Sequence, residues 1–176
     1  DQIMEYNKKF VENKGYEPFL TSKYPDKKLA ILTCMDTRLL ELLPAALGIK
    51  NGDAKIIKNA GGVIVHPYGS VVRSLLVGIL ELGVEEVMVV GHTDCGVQGM
   101  DGKEMLELLE KRGIDKQHID IVRHSGIDLE NWLGGFESVE SSVHETVKGL
   151  KEHPLMPKDV KISGFIMNSE TGLLTK

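Results

Sequence analysis

The sequence predicts an α/β fold in which a mainly parallel central β-sheet is flanked by α-helices. Three observations carry the fold class. Three short apolar runs, "KLAILTC", "AKIIKNAGG" and "VEEVMVVGH", each end in a polar or glycine-rich turn, as strands buried on both faces do. Helical periodicity separates the last two runs, which makes a βαβ crossover. The chain has 176 residues and 41% hydrophobic content, enough for one core without a disulfide or metal staple.

Taken in order, the opening "QIMEYNKKFVENKG" reads as a helix over about residues 1–15, lying on the domain or reaching toward a second subunit. "KLAILTC" is the first strand and ends at Cys34. "AKIIKNAGG" is the second, with Gly61 and Gly62 in the turn that follows. In "SVVRSLLVGILELG", Val72, Leu75, Leu76, Ile79 and Leu80 recur at helical spacing, with Ser70 as the N-cap and Gly83 as the stop. "VEEVMVVGH" is the third strand. "KEMLELLEKRG" and "ESVESSVHETVKGLKEH" are amphipathic helices, the latter with Val139, Val143, Val147 and Leu150 on one face. "VKISGFIMNSETGLL" supplies a late strand and a turn at Glu170 to Gly172. No repeat, low-complexity tract or linker divides the sequence, so residues 1–176 are expected to form a single domain.

Composition narrows the function classes. A net charge of −5 and 5% aromatic residues offer neither the basic surface nor the stacking platform of a nucleic-acid binder. No apolar run is long enough for a bilayer and no secretory leader pattern opens the sequence, so no membrane partner and a cytoplasmic location are expected. In that reducing compartment the two cysteines, Cys34 and Cys95, read as thiols, ligands or nucleophiles rather than a disulfide.

Their placement points to a metal. In "VVGHTDCGVQG", His92 and Cys95 stand three apart just after a strand, so one loop can turn both toward a common point. Cys34 ends its own strand, and in an open parallel sheet those carboxyl ends line the ligand crevice. Two thiolates and an imidazole are a donor set for Zn²⁺, and three protein ligands leave the fourth tetrahedral position open, as in a catalytic site. Each piece has a plainer reading when taken singly. Cys34 is then a small buried hydrophobe, His92 and Cys95 an ordinary turn, and Asp36 with Arg38 a surface ion pair. Gly61 and Gly62 are by default a turn, and Val63 and Ile64 core. His66 is an exposed loop histidine or a proton relay; His118, His124, His144 and His153 fall in polar, solvated segments.

The motifs "CMDTR", "KNAGG" and "GHTDCG" together resemble the β-class carbonic anhydrases, in the order and approximate separation that family uses, over nearly the whole chain. The likeness is to the short microbial type with an open, water-ligated zinc. The resemblance implies a zinc lyase that reversibly hydrates carbon dioxide to bicarbonate and a proton, with zinc-activated water as nucleophile. It implies one Zn²⁺ per chain on Cys34, His92 and Cys95, and a catalytic dyad of Asp36 and Arg38 that orients the nucleophile. It implies that Gly61, Gly62 and Val63 pass close to the substrate. It further implies a homodimer or higher homo-oligomer, with the active site near the subunit interface and the N-terminal helix packed on the partner. Ile31, Lys58 and Met167 stand where some bacterial members carry the Trp, Arg and Tyr of a noncatalytic bicarbonate site, so that switch is not expected here. Asn168 stands where the family often has Asp. Two other functions fit the donor set: hydrolysis of CS₂ or COS, and a non-catalytic zinc or redox-sensing module. A pure sensor needs no Asp36/Arg38 pair.

Overall fold

Five strands form one sheet in the order β2-β1-β3-β4-β5 in the computed structural model, which describes residues Asp1–Lys176. Strands β1 (Leu29–Cys34), β2 (Ala54–Asn59), β3 (Glu86–His92) and β4 (Lys161–Met167) are parallel; β5 (Leu174–Thr175) returns antiparallel to β4. The helices are α1 (Gln2–Glu12), α2 (Leu39–Ala46), α3 (Ser70–Leu82), α4 (Gly102–Lys111), α5 (Lys116–His124), α6 (Leu129–Leu133) and α7 (Val139–Glu152). The expected α/β class with a mainly parallel sheet is the one found.

Strand β1 lies between β2 and β3 and is buried at every residue, which is why "LAILTC" shows no alternation of polar and apolar side chains. Strand β2 departs from the sequence reading of a strand buried on both faces. It is an edge strand, half-buried at every position, and carries Lys55 and Lys58. The strands' two faces feed two cores by their period of two. Leu29, Ile31, Val90 and Met167 pack with Leu39 and Leu43 of α2 on one face. Ala30, Val87, Val89 and Ile162 pack with Val72, Leu75 and Leu150 on the other.

Helix α3 starts one residue earlier than expected. Gly69 takes the cap position and Ser70 is the first helical residue, while Gly83 stops the helix in the left-handed region as expected (φ 76°). Its inward stripe is Val72, Leu75 and Gly78; Leu80 falls off it at 70% exposed. Ser138 caps α7, its Oγ accepting the Ser141 N–H at 3.1 Å. Helices α2, α5 and α6 have no counterpart in the sequence reading. The first is apolar but for Glu41 and contains Pro44; α5 and α6 are short and share a small satellite core with α4, built on Leu106, Ile119 and Leu129. Helix α1 buries none of its residues and exposes Ile3, Met4, Tyr6 and Val11. No helix is long and apolar enough to cross a membrane.

Helix α7 approaches the sheet closely because glycines stand beneath it. A Cβ on Gly164 would come within 2.6 Å of Val143 Cγ1, and one on Gly91 within 2.7 Å of Val143 Cγ2. Gly164→Ala is therefore expected to lower stability by about 1–3 kcal/mol through overpacking. Gly149→Ala on the same helix, where an added Cβ meets nothing within 4 Å, is expected to be neutral or to gain up to about 1 kcal/mol. Urea unfolding of both variants measures this; equal midpoints would refute the close-approach argument.

Candidate metal centre

Strands β1 and β3 are adjacent and parallel, so Cys34 and His92, their last residues, finish on the same edge of the sheet. The loop after β3 then carries Cys95 back beside them. The ligand atoms of Cys34, His92 and Cys95 all lie within 4.8 Å of one another, with the two sulfurs 3.9 Å apart. All three residues are buried, and neither cysteine is in a disulfide.

The histidine tests whether a metal fits. Its Nδ1 lies 2.8 Å from the Thr93 carbonyl oxygen, which can only accept, so Nδ1 carries the proton and Nε2 keeps a free lone pair. That Nε2 is buried and is the one buried side-chain nitrogen or oxygen without a hydrogen-bond partner. Leaving such an atom unsatisfied costs about 1–3 kcal/mol. A cation between Nε2 and the two sulfurs removes the cost, and the anchored ring is the arrangement metal-ligating histidines use. The borderline-soft donor set fits Zn²⁺.

The charges agree. Burial pushes the Cys34 thiol up, but attraction to the His92 ring and backbone N–H groups of Gly61 and Asp36 outweigh it, bringing it from 9.0 to about 7. Cys34 in turn raises His92. Burial raises Cys95, and the neighbouring Cys34 raises it further, against N–H donors at Val97 and Gln98. One thiolate forms readily; the second is held back until positive charge enters the site.

Asp36 and Arg38 sit in the turn after β1, beside this cluster. Arg38 Nε donates to Asp36 Oδ1 at 3.0 Å and Nη2 to Oδ2 at 2.9 Å, a two-pronged pairing. The Arg38 backbone N–H adds a third bond to Oδ1 at 2.9 Å. Chiefly because of the Arg38 side chain, the Asp36 carboxyl is held down at about 2. Oδ2 of Asp36 lies 3.8 Å from His92 Nε2, so the pair borders the donor cluster. The sequence reading missed Asp94, which holds Arg38 from the other side. Its carboxylate accepts from Nη1 at 3.0 Å and its carbonyl from Nη2 at 2.8 Å. The available signal was an Asp in the two-residue spacer between His92 and Cys95, a residue type that tolerates the left-handed φ of 54° found there.

The "KNAGG" segment also reaches the cluster. The Gly61 N–H points at Cys34 Sγ at 3.4 Å. Gly62 has φ 63°, and a Cβ there would stand 2.9 Å from the Thr33 carbonyl carbon, so only glycine fits. Asn59 closes the turn, donating from Nδ2 to the Val63 carbonyl at 2.6 Å and accepting the Val63 N–H at 3.0 Å. His66 is exposed, as read from sequence. His153 is not: it is 5% exposed, which corrects the expectation of a solvated segment. Ile31 and Met167 are fully buried and Lys58 is half-buried. Asn168 Oδ1 accepts the N–H groups of Glu170 and Thr171, shaping the expected turn.

With this geometry in place, comparison with known proteins places the chain. The sequence profile of a family described as carbonic anhydrase matches residues 29–174. The Bacillus subtilis protein YvdA, provisionally named a carbonic anhydrase, is 52% identical over 172 residues, covering 98% of this chain and 87% of its own. A carbon disulfide hydrolase of Acidithiobacillus thiooxidans is 31% identical over 158 residues, covering 85% and 76%. The crystal structure of β-carbonic anhydrase isoform I from Trichomonas vaginalis superposes with a TM-score of 0.88 at 36% identity, covering 99% of this chain and 94% of that one. A shared fold, a profile spanning the whole sheet and the buried Cys–His–Cys cluster agree: the chain belongs to the β-class carbonic anhydrase family.

Proposed function

We propose that the chain, as one domain over residues 1–176, catalyses the reversible hydration of CO₂ to bicarbonate and a proton with one Zn²⁺ on Cys34, His92 and Cys95. The observation that carries this reading is the buried, unpartnered His92 Nε2 facing two thiols, with an Arg-held carboxylate 3.8 Å away. When bound, Zn²⁺ supplies the Lewis acidity that makes water a nucleophile near neutral pH.

The chain's own residues then bind, aim and hold. The Gly61 N–H and the other backbone donors stabilise the sulfur charges. Each Asp36 oxygen has two lone pairs, and Oδ2 spends one on Arg38; the other accepts the O–H of the attacking nucleophile and turns its lone pair toward CO₂. Arg38, gripped on its far side by Asp94, keeps Asp36 ionised and away from the metal. Gly61, Gly62 and Val63 form the substrate-side wall, since their backbone already runs beside Cys34.

Hydrolysis of CS₂ or COS is the second reading, favoured by the relative named carbon disulfide hydrolase. CO₂ is preferred because the 52%-identical relative carries the carbonic anhydrase name. Assaying CO₂ hydration by stopped flow and CS₂ hydrolysis by sulfide release, on one metal-analysed sample, decides between them. We further infer a homodimer or a multiple of it, with no nucleic-acid or membrane partner. The apolar side chains that α1 leaves exposed support packing on a second subunit. Two free buried thiols suit the cytoplasm.

Purified protein is expected to hold about one zinc per chain, and Cys34→Ser or Cys95→Ser to lose most of it. Metal analysis of both variants checks this, and full retention in both would overturn the ligand assignment. Asp36→Ala is expected to keep fold and zinc yet lose about 10²-fold or more in kcat/KM, as removal of an orienting group does. A zinc-replete variant with near-normal turnover would return the pair to a surface ion pair. The pH profile is a third test. Asp36 is depressed from 3.8 to about 2, so the stability from its pairing is complete above 3.8 and is lost as pH falls through about 2. Between pH 6 and 9 neither dyad member changes charge. The logarithm of kcat/KM for CO₂ should therefore rise toward alkaline pH with a slope no steeper than one; a slope well above one, or Asp36 bound to the metal in a neutral-pH crystal, would refute it.

A further inference from the structure

The loop that brings the Gly61 N–H to Cys34 buries Gly62 and packs Ile64 against the core, then runs on through Val65–Tyr68 at the surface. A cavity of about 260 Å³, lined by Ile64, Pro67, Val72, Thr146 and His153 among others, lies where this loop meets α7. Such an exposed segment opens at low free-energy cost unless hydrogen bonds restrain it. The Asn59 clamp closes the near turn onto β2 itself. Beyond β2, the hydrogen bonds of residues 60–68 to other elements go to two places, Cys34 Sγ and His153.

His153 caps the C-terminus of α7 and is built to hold that bond in one orientation. Its Nδ1 accepts the Leu155 N–H at 3.1 Å, which leaves the proton on Nε2. Nε2–H then donates to the Pro67 carbonyl at 2.7 Å. The Tyr68 ring packs edge-on against the imidazole at 5.2 Å between centroids, and the Tyr68 N–H is taken by His66 Nδ1 at 3.0 Å. The ring is thus buried, held at both nitrogens, and joined to the far end of the loop whose near end touches a sulfur of the cluster.

We propose that His153 is a positioning residue for the metal centre: by tying Pro67 to α7 it holds the 60–69 loop so that the Gly61 N–H stays on Cys34 Sγ. The inference rests on the reading of Cys34 as a ligand. Outer partners of metal ligands typically affect metal affinity by about 10–100-fold when lost, and His153 acts on one such partner at a distance.

Two substitutions separate its two bonds. In His153→Asn the shorter side chain keeps an acceptor for the Leu155 N–H but cannot reach Pro67; in His153→Gln the amide reaches Pro67 as Nε2–H does. On the full-chain zinc-loaded protein, His153→Asn is expected to speed amide exchange of residues 61–69 and zinc release to a chelator by roughly 10-fold each. Exchange in β1 and β3 should stay unchanged, and His153→Gln should restore both readouts. Unchanged loop exchange or zinc release, exchange rising equally in β1 and β3, or failure of the Gln variant to restore would overturn the proposal. Should His153→Asn not fold, the ring ¹⁵N shifts of His153 in the unaltered protein decide: the Nε2–H tautomer is expected, and an Nδ1–H tautomer overturns it. These readouts need no turnover, so a protein that binds zinc but fails to hydrate CO₂ would refute the proposed function and leave this inference standing.

Discussion

The parallel pairing of β1 with β3 is the constraint on which the site depends. Its register sets Thr33 opposite Val90 and ends both strands at the same edge of the sheet, so two donors 58 positions apart in sequence become neighbours without any long side chain reaching out. The Thr33 hydroxyl locks the same pair from the side, donating to the Val90 carbonyl at 2.8 Å inside the core. A slip of one residue would turn Cys34 to the opposite face of the sheet and exchange the two cores. Burial of β1 at all six positions makes such a slip very costly. The position of the donors is therefore a property of the core more than of the loops.

Around that edge the loops supply what strands cannot, which is a dense set of backbone donors and a tethered carboxylate. Three left-handed conformations fall there: Gly61 at φ 89°, Gly62 at 63° and Asp94 at 54°. Each serves the cluster or its neighbour. Gly61 presents its N–H to sulfur, Gly62 lets the turn lie against β1, and Asp94 turns its carbonyl onto Arg38. Arg38 consequently has its fork occupied on both edges, by Asp36 and by Asp94. Because the Asp94 carboxylate is largely exposed, that ion pair contributes little on its own; the carbonyl contact, fixed by backbone conformation, is the firmer restraint.

Legibility in the sequence followed the range of the interaction. Strands and amphipathic helices are encoded in local periodicity, so β1, β3, β4, α3, α4 and α7 could be read directly. The donor set was legible because chain order and strand ends suffice to bring Cys34, His92 and Cys95 together in a parallel sheet. The edge position of β2 was not, since strand order in a sheet is not written in the strand. Helix α2 escaped because an apolar stretch with an internal proline has no helical stripe. Asp94 and His153 escaped for a different reason. Their partners, Arg38 and Pro67, lie 56 and 86 positions away, and a residue whose role is a bond to a distant one leaves no periodic trace.

Substrate choice within this fold cannot be a matter of the donor cluster alone. A relative named for carbon disulfide hydrolysis is 31% identical over most of the chain, and a β-carbonic anhydrase shares the fold, so the fold is compatible with both chemistries. CO₂ and CS₂ are both linear and nonpolar, and they differ chiefly in length and girth. A site that accepts hydrogen bonds from a hydroxyl does not tell them apart; the volume left between the donor cluster and the walls that face it does. On the proposed reading the Gly61–Val63 backbone, which runs beside Cys34, is one such wall. Met35 and Leu40, which flank the Asp36/Arg38 turn, are 64% and 67% exposed. On the proposed reading of a homodimer, a second subunit packed on these two side chains would set that volume jointly with the loop after β2.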